Sequence, residues 1–384
     1  MTVLFWFSLI CFFTTLSVMF YLSWGTRQLV NLKDVLPLQS TAAPRVSLII
    51  PACNEAGTLG PTLESVLALT YPNLEIMVVN DRSTDDTGIV LAELKKAHPF
   101  LQVLTITGLP GGWLGKSHAL HVAGMQARGD YLLFTDADIL FEKSTLARAM
   151  SYMLDNHLDH VSLIFKNISP GGLLNTAIFE GMLGLLLLFK PWKAGNRNSR
   201  HYMGVGAFNL VRTQAYRDMG GHRKIAMHPI DDIMLGKIIK QRGLFQECLI
   251  GYDFVQVKWY ASVRELIQGA MKNLFALYRF RISNVFFALL IPVCFQILPF
   301  WALFFTKGVT FGLFAGAITV RLVSLAKGLS VIGLSPWQAA WSFATPYLSA
   351  YVSTKAALTT LRNRGIIWRG THYPLEELKK GIQV

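Results

Sequence analysis

The first 24 residues contain no charged side chain. At about 1.5 Å per helical residue, such a run is long enough to cross a hydrocarbon core of about 30 Å. It lacks the basic opening and small-residue cleavage site of a secretory signal, so the sequence predicts an uncleaved signal anchor over residues 1–24. Arg27 and Lys33 follow directly and assign its C-terminal flank to the cytoplasm by the positive-inside rule. A buried core helix of that length would carry a polar face, and none is present. A second apolar region fills much of the C-terminal third. Residues 285–306 are uncharged, and residues 328–354 are uncharged but interrupted by Pro336 and Pro346. Residues 308–320, between them, are apolar but short, and lead into Arg321 and Lys327. The expected organisation is a C-terminal transmembrane region over residues 285–358, then a basic tail over residues 359–384. Lys355, Arg362, Arg364, Arg369, Lys379 and Lys380 assign that tail to the cytoplasm. A cytoplasmic tail requires an even number of crossings after a cytoplasmic domain. Either the segment 308–327 stops short of crossing, or one orientation differs. Residues 171–189 are also apolar, with one acid, Glu180. Their GMLGLLLLFKPW ending suits an interfacial helix better than a span, and both readings stand for residues 171–190.

Composition agrees with membrane segments flanking a polar domain. Hydrophobic residues make up 52% and charged residues 15%, against about 25% charged in soluble domains. The formal net charge of +13, from 36 basic and 23 acidic residues, favours an anionic partner such as acidic headgroups or a phosphorylated ligand. No basic run interleaved with aromatics and no recognition-module signature is present, which argues against nucleic acid. Cys11, Cys53, Cys248 and Cys294 are scattered without zinc spacing or a disulfide framework.

Residues 40–280 form the polar middle. Short β-branched runs at 45–51, 74–80, 101–107 and 131–135 alternate with helical stretches at about 57–69, 84–98 and 116–128. This alternation predicts βαβ units and a parallel sheet, an α/β fold in which ligands sit beyond the C-terminal strand ends.

Three acidic clusters fall at those ends. Pro51-Ala52-Cys53-Asn54-Glu55 follows the first strand, and Asn80-Asp81-Arg82-Ser83-Thr84-Asp85-Asp86 the second. Thr135-Asp136-Ala137-Asp138 follows the fourth. A strand-end Asp can simply cap the next helix, and for Asp85 and Asp86 that reading is at least as good. Three clusters at one sheet edge repel one another unless a cation neutralises them. In an extended segment Asp136 and Asp138 point the same way and can address one hard divalent cation shared with substrate phosphates. Further on, Asp231 and Asp232 in HPIDDIMLG stand at an expected helix start. They either complement the helix dipole or supply a general base.

These four motifs, in this order and spacing, resemble glycosyltransferase family 2 over roughly residues 44–280. The nearest branch is the membrane-anchored one that includes ceramide glucosyltransferases and bacterial carotenoid- and hopanoid-associated glycosyltransferases. Residues 111–116 (GGWLGK), Trp259-Tyr260 leading to residues 269–273 (GAMKN), and residues 368–373 (WRGTHY) look like that branch. The resemblance implies a GT-A fold, a nucleotide-diphosphate sugar donor, a lipid-like hydroxyl acceptor and inverting transfer at the cytoplasmic face of the cell membrane. It implies donor binding by Pro51, Asn54, Glu55, Asp81, Lys116 and Asp136. A Mg²⁺ or Mn²⁺ site at Asp138 and Asp136 follows from it, with Asp138 the more direct ligand. Asp232 matches the catalytic position, with Asp231 standing where Glu is usual, so the choice between the two stays open. Processive relatives carry Gln-x-x-Arg-Trp; here Gln256-Val257-Lys258-Trp259 is a partial echo, which favours transfer of a single sugar. Gly206 and His222, in glycine-rich loops, look acceptor-side, and Trp259 is either an acceptor platform or an interfacial aromatic. The competing readings are a polyprenyl-phosphate glycosyltransferase, a polysaccharide synthase and a non-catalytic membrane scaffold.

Overall fold

A computed structural model describes residues 2–40 and 42–382. It divides into two compact units, one helical and one α/β.

The α/β unit comprises residues 29–168, 189–259 and 365–384. Its strands are β1 (Val46–Ala52), β2 (Leu74–Asp81), β3 (Gln102–Ile106), β4 (Tyr131–Phe134), β5 (Ile139–Phe141) and β6 (His160–Ile164). They continue as β7 (Lys166–Asn167), β8 (Asn209–Arg212), β9 (Gln246–Ile250), β10 (Val255–Val257), β11 (Gly365–Trp368) and β12 (Thr371–Pro374). The main sheet has the order β3-β2-β1-β4-β8-β6-β9. Its first four strands are parallel, with Val46 opposite both Leu74 and Tyr131, as the alternating pattern predicts. β8 runs antiparallel to both its neighbours, a feature the short polar-flanked runs after residue 135 do not announce. Val46, Leu48, Ile49 and Ile50 of β1 are fully buried, the continuous apolar run expected of a strand covered on both faces. The chain winds outward from β1 to β3 and then returns to place β4 on the other side of β1. That reversal opens a crevice beyond the C-terminal ends of β1 and β4, the usual ligand position in such sheets. A smaller sheet, β5-β10-β7, continues from the segment that follows β4.

The boundaries differ from the expected 40–280 and 359–384. The helix Val263–Leu277 groups with the helical unit. Residues 365–382 fold as a hairpin and the short helix Leu375–Gly381, and belong to the α/β unit. The hairpin turns through Arg369 and Gly370, both at positive φ (49° and 77°), as a two-residue turn between paired strands demands.

The helical unit comprises residues 1–28, 169–188 and 260–364. Among the described residues, four helices are long and apolar enough to cross a membrane: Val3–Thr26, Gly172–Lys193, Ile282–Ala302 and Gly308–Val331. Those properties mark the chain for membrane association. The segment expected to be short after residue 308 continues through Arg321 and Lys327 as one 24-residue helix, because Arg321 is paired rather than exposed. Gly172–Lys193, which the sequence suits to an interface, meets the same criterion of length and composition. Pro336 opens a 3₁₀ stretch, Pro336–Phe343, and Pro346 stands in the first turn of the helix Thr345–Arg362, where a missing N–H costs nothing.

Candidate active site

The crevice collects residues from five segments. Lys116 stands in the first turn of the helix Gly115–Gln126, while Asp231 and Asp232 open the helix Asp231–Gln241. Lys116, Asp136, Gly206, His222, Asp231 and Asp232 line one pocket, floored by Phe134. Lys116 Nζ lies 2.6 Å from Asp136 Oδ1 and 3.7 Å from Asp231 Oδ1. Burial opposes its charge, but Asp136, Asp231 and Asp232 together hold it protonated, above its ordinary pKa. The backbone N–H of Gly206 donates to Asp232 Oδ2 at 2.7 Å. A Cβ at Gly206 would stand 2.8 Å from Asp136 Oδ2 and 3.2 Å from Asp232 Oδ2, so only glycine lets this backbone approach both carboxylates. Gly206 thus orients the Asp232 carboxylate.

Burial raises the pKa of Asp231 and of Asp232, with Lys116 opposing the rise in both. Asp138 is also raised, first by burial and then by the nearby charges of Asp136 and Glu55. The chain turns at Ala137 and Asp138, where an extended segment was expected. Asp136 therefore engages Lys116, and Asp138 remains outside that ion pair. The donor set is all oxygen and mutually repelling, which fits a hard divalent cation. Among the described residues no group of three or more His, Cys, Asp or Glu could hold a metal alone. Two carboxylates completed by phosphate oxygens and water is the usual arrangement for Mg²⁺.

The expected donor residues at β1 and β2 have partners of their own. Pro51 is a ladder residue opposite Val79. Asn54, at φ 57°, accepts the N–H groups of Thr84 (2.7 Å) and Asp85 (3.3 Å) through Oδ1, so its side chain shapes the loop after β2. Asp85 accepts from the N–H of Thr87 at 3.0 Å and its hydroxyl at 2.6 Å, which is the capping alternative. Asp81 is buried and forms two bonds to Arg82, at 2.7 and 2.9 Å. Glu55 accepts from the Thr58 hydroxyl at 2.7 Å and pairs with Arg369.

The C-terminal hairpin reaches this edge of the sheet. Arg369 also donates to Asn54 O at 3.1 Å, and Arg82 donates to Thr371 Oγ1 at 3.2 Å. The N–H of Gly115 donates to Tyr373 Oη at 3.2 Å. A Cβ on Gly115 would meet Asp81 Oδ2 at 2.5 Å. Arg82, Arg369, Thr371 and Tyr373 meet at this edge, where sequence reasoning did not place them. The WRGTHY segment was the available signal, but nothing in it names partners 258 to 315 positions away.

Two expected acceptor-side residues sit apart from the hairpin edge. His222 is buried, bonded through Nδ1 to the Tyr216 hydroxyl at 2.7 Å, and burial lowers its pKa to about 3. It is a neutral imidazole in the pocket lining. Trp259 is part-exposed and packs edge-on against Phe165 at 5.3 Å.

Residues 47–220 match the model of glycosyl transferase family 2. That stretch is similar to glycosyltransferase family 2 domains. The 4,4'-diaponeurosporenoate glycosyltransferase of Staphylococcus aureus (strain MRSA252) is 27% identical over 237 residues, and the same enzyme of strain USA300 matches equally. The match covers 60% of this chain and 60% of each relative. In three dimensions the chain resembles the mannosyltransferase PcManGT from Pyrobaculum calidifontis, solved in complex with GDP-Man and Mn²⁺. That likeness has a TM-score of 0.53 at 21% identity and covers 92% of this chain and 99% of that one. The fold of the α/β unit is GT-A.

Proposed function

We propose that the protein is an inverting glycosyltransferase that moves one sugar from a nucleotide-diphosphate donor to the hydroxyl of a lipid-like acceptor at the membrane. The observation that carries this reading is the Lys116 pocket. A single ammonium joins the β4-end carboxylate Asp136 to the Asp231–Asp232 pair, so a leaving-group site and a base adjoin. Asp232 is the base. Gly206 fixes one of its oxygens, and its raised pKa makes it a stronger proton acceptor than an exposed carboxylate. As the acceptor hydroxyl loses its proton to Asp232, its oxygen bonds to the anomeric carbon and the bond from that carbon to the diphosphate oxygen breaks. Asp231 keeps Lys116 charged near the departing phosphates. Asp138 and Asp136 would hold a divalent cation, which as a Lewis acid supplies charge neutralisation for the leaving diphosphate. At the β1–β2 edge, Glu55, Asp81, Arg82 and Arg369 form the cradle for the nucleotide.

The GDP-Man complex of the structural neighbour supports a nucleotide-sugar donor, and the diaponeurosporenoate glycosyltransferases support a lipid-like acceptor. The cytoplasmic face of a cell membrane suits both the Arg27 and Lys33 flank and the hairpin. Since hairpin and sheet form one compact unit, the chain between residues 260 and 364 crosses an even number of times. Ile282–Ala302 and Gly308–Val331 supply two crossings. The test is to incubate the protein in membranes with labelled nucleotide sugars and to analyse the lipid extract by mass spectrometry. A mono-glycosylated lipid with the sugar on a hydroxyl oxygen is expected. A sugar attached to phosphate, or a polymer, would overturn the acceptor and base assignments.

A further inference from the structure

The segment that leads into β8 runs against the start of the helix Asp231–Gln241. A Cβ on Gly204 would overlap Asp232 O, and a Cβ on Gly236 would overlap Met203 O. The two backbones therefore touch, but such contacts have no direction and set no angle. Buried side chains do. Gln246, 2% exposed at the start of β9, accepts the N–H of Met203 at Oε1 (3.1 Å) and donates from Nε2 to Gly236 O (2.7 Å). Asn209, equally buried, donates from Nδ2 to Asp232 O at 3.3 Å, while its Oδ1 accepts from Nε2 of His160. The Thr135 hydroxyl donates to Ala207 O at 2.8 Å.

These bonds converge on one geometry. Met203 lies three positions before Gly206, and Gly236 stands about one helical turn after Asp232. With a single amide, Gln246 thus fixes the separation of the two segments that meet in the bond from the Gly206 N–H to Asp232 Oδ2. An amide suits the place because it carries a donor and an acceptor in one plane. Asn209 holds the main chain of Asp232 itself and also lines the pocket. The sheet needs neither side chain, since β8 and β9 pair with β6 through their backbones. Hydrogen bonds weaken steeply with misalignment, and misplacing a reacting group by about 1 Å can cost about a hundredfold in rate.

We propose that Gln246 and Asn209 are positioning residues that aim the Asp232 carboxylate at the acceptor hydroxyl. The inference rests on the reading of Asp232 as the base. A role confined to folding would make substitutions at both positions lower stability and leave the chemistry of the folded protein alone.

For the test, membranes containing the full chain are given Mn²⁺ and a panel of labelled UDP- and GDP-sugars, with their own lipids as acceptor. The sugar that labels lipid is carried into kinetics. Gln246→Met and Asn209→Ala should each lower kcat by about ten- to a hundredfold, with the donor KM within about twofold. In an Asp232→Asn background the same substitutions should change the residual rate by less than about twofold, because they act through that carboxylate. Ser47→Ala is the control. That hydroxyl is buried at the opposite end of the sheet, where it bonds Glu75 and the N–H of Gly129. Its loss should lower stability and leave kcat within about twofold. Should Gln246→Met and Asn209→Ala not fold, Thr135→Val removes one bond to the same segment at constant shape and should show the same split at several-fold size. Unchanged kcat in the folded variants, an equal loss in Ser47→Ala, or full additivity with Asp232→Asn would overturn the inference. No labelled lipid, or near-full turnover by Asp232→Asn, would instead remove the base reading and the inference with it.

Discussion

In the α/β unit one ammonium, Lys116, faces Asp136, Asp231 and Asp232, and Asp138 lies close enough to Asp136 and Glu55 for each charge to raise it. In the helical unit Glu180 meets Arg321 one to one, with Thr345 and Gln296 completing the bonds. The first arrangement keeps an excess of negative charge that a bound cation or ligand relieves. The second is neutral by itself. A site proposed to part a diphosphate from a sugar stores unbalanced charge, whereas a polar cluster among apolar helices cannot sustain it.

Removing the proposed base breaks the first arrangement where it acts. Asp232→Asn keeps the shape and the acceptor oxygen facing Gly206 but cannot take a proton. Sugar transfer should fall by about a thousandfold, while donor affinity by calorimetry stays within about twofold, since the nucleotide cradle is untouched. Retention of more than about a tenth of wild-type turnover would assign the base to Asp231 or elsewhere.

Removing a cation from each unit separates the two kinds of burial. Lys116→Met leaves three acids facing one another, and Arg321→Met leaves Glu180 alone; each should cost about 3 kcal/mol in unfolding experiments in detergent. Their rescue differs. The double variant Glu180→Leu with Arg321→Met should recover most of that loss, because a neutral pair can be exchanged for apolar packing. Adding Asp136→Leu to Lys116→Met should restore some stability and no activity.

Acid should separate the units as well. All nine histidines lie in the α/β unit. Burial lowers His160 to about 4, His222 to about 3 and His228 to about 4, against about 6.5 in the unfolded chain. The native imidazoles are neutral, so the unfolded chain binds more protons below pH 6.5. Their stability contribution is complete above that pH and is lost as pH falls through 6.5 toward 4. For His160 alone the loss reaches about 3 kcal/mol. Proteolysis from pH 7 to pH 4 should therefore open the α/β unit while the helical unit keeps its circular dichroism. His160→Gln should flatten the dependence by one histidine's share.

How much of this was legible in the chain depends on sequence distance. The four parallel strands, the Asp136-Ala137-Asp138 triplet and the Asp231-Asp232 pair are local patterns, and they lie where the pattern puts them. The turn at Ala137 is local too, but an apolar strand gives no sign of ending there. What was hidden is long-range pairing. Arg321 reads as the end of an apolar segment until Glu180, 141 positions earlier, is seen to neutralise it. Arg369 reads as part of a basic tail until Glu55, 314 positions earlier, meets it. Lone charges in a sequence advertise solvent, and only the fold shows which are spoken for.

The smallest effect tests whether the hairpin belongs to the donor cradle. Arg369 sits at the tip of a two-residue turn, is half-exposed and touches Glu55 and Asn54 O. An exposed ion pair is worth less than about 1 kcal/mol, so Arg369→Ala should leave folding intact. Loss of one cation beside an anionic nucleotide should weaken donor binding by about threefold at 0.15 M salt, and more at low salt, where screening is weaker. Arg369→Lys should recover the salt dependence but only part of the affinity, because an ammonium cannot span Glu55 and the Asn54 carbonyl as a guanidinium fork does. Tighter donor binding in Arg369→Ala would mean the reverse. The hairpin would then be a plug competing for Glu55, and the excess negative charge of the α/β unit would have to be relieved by the ligand and its cation without help from the hairpin.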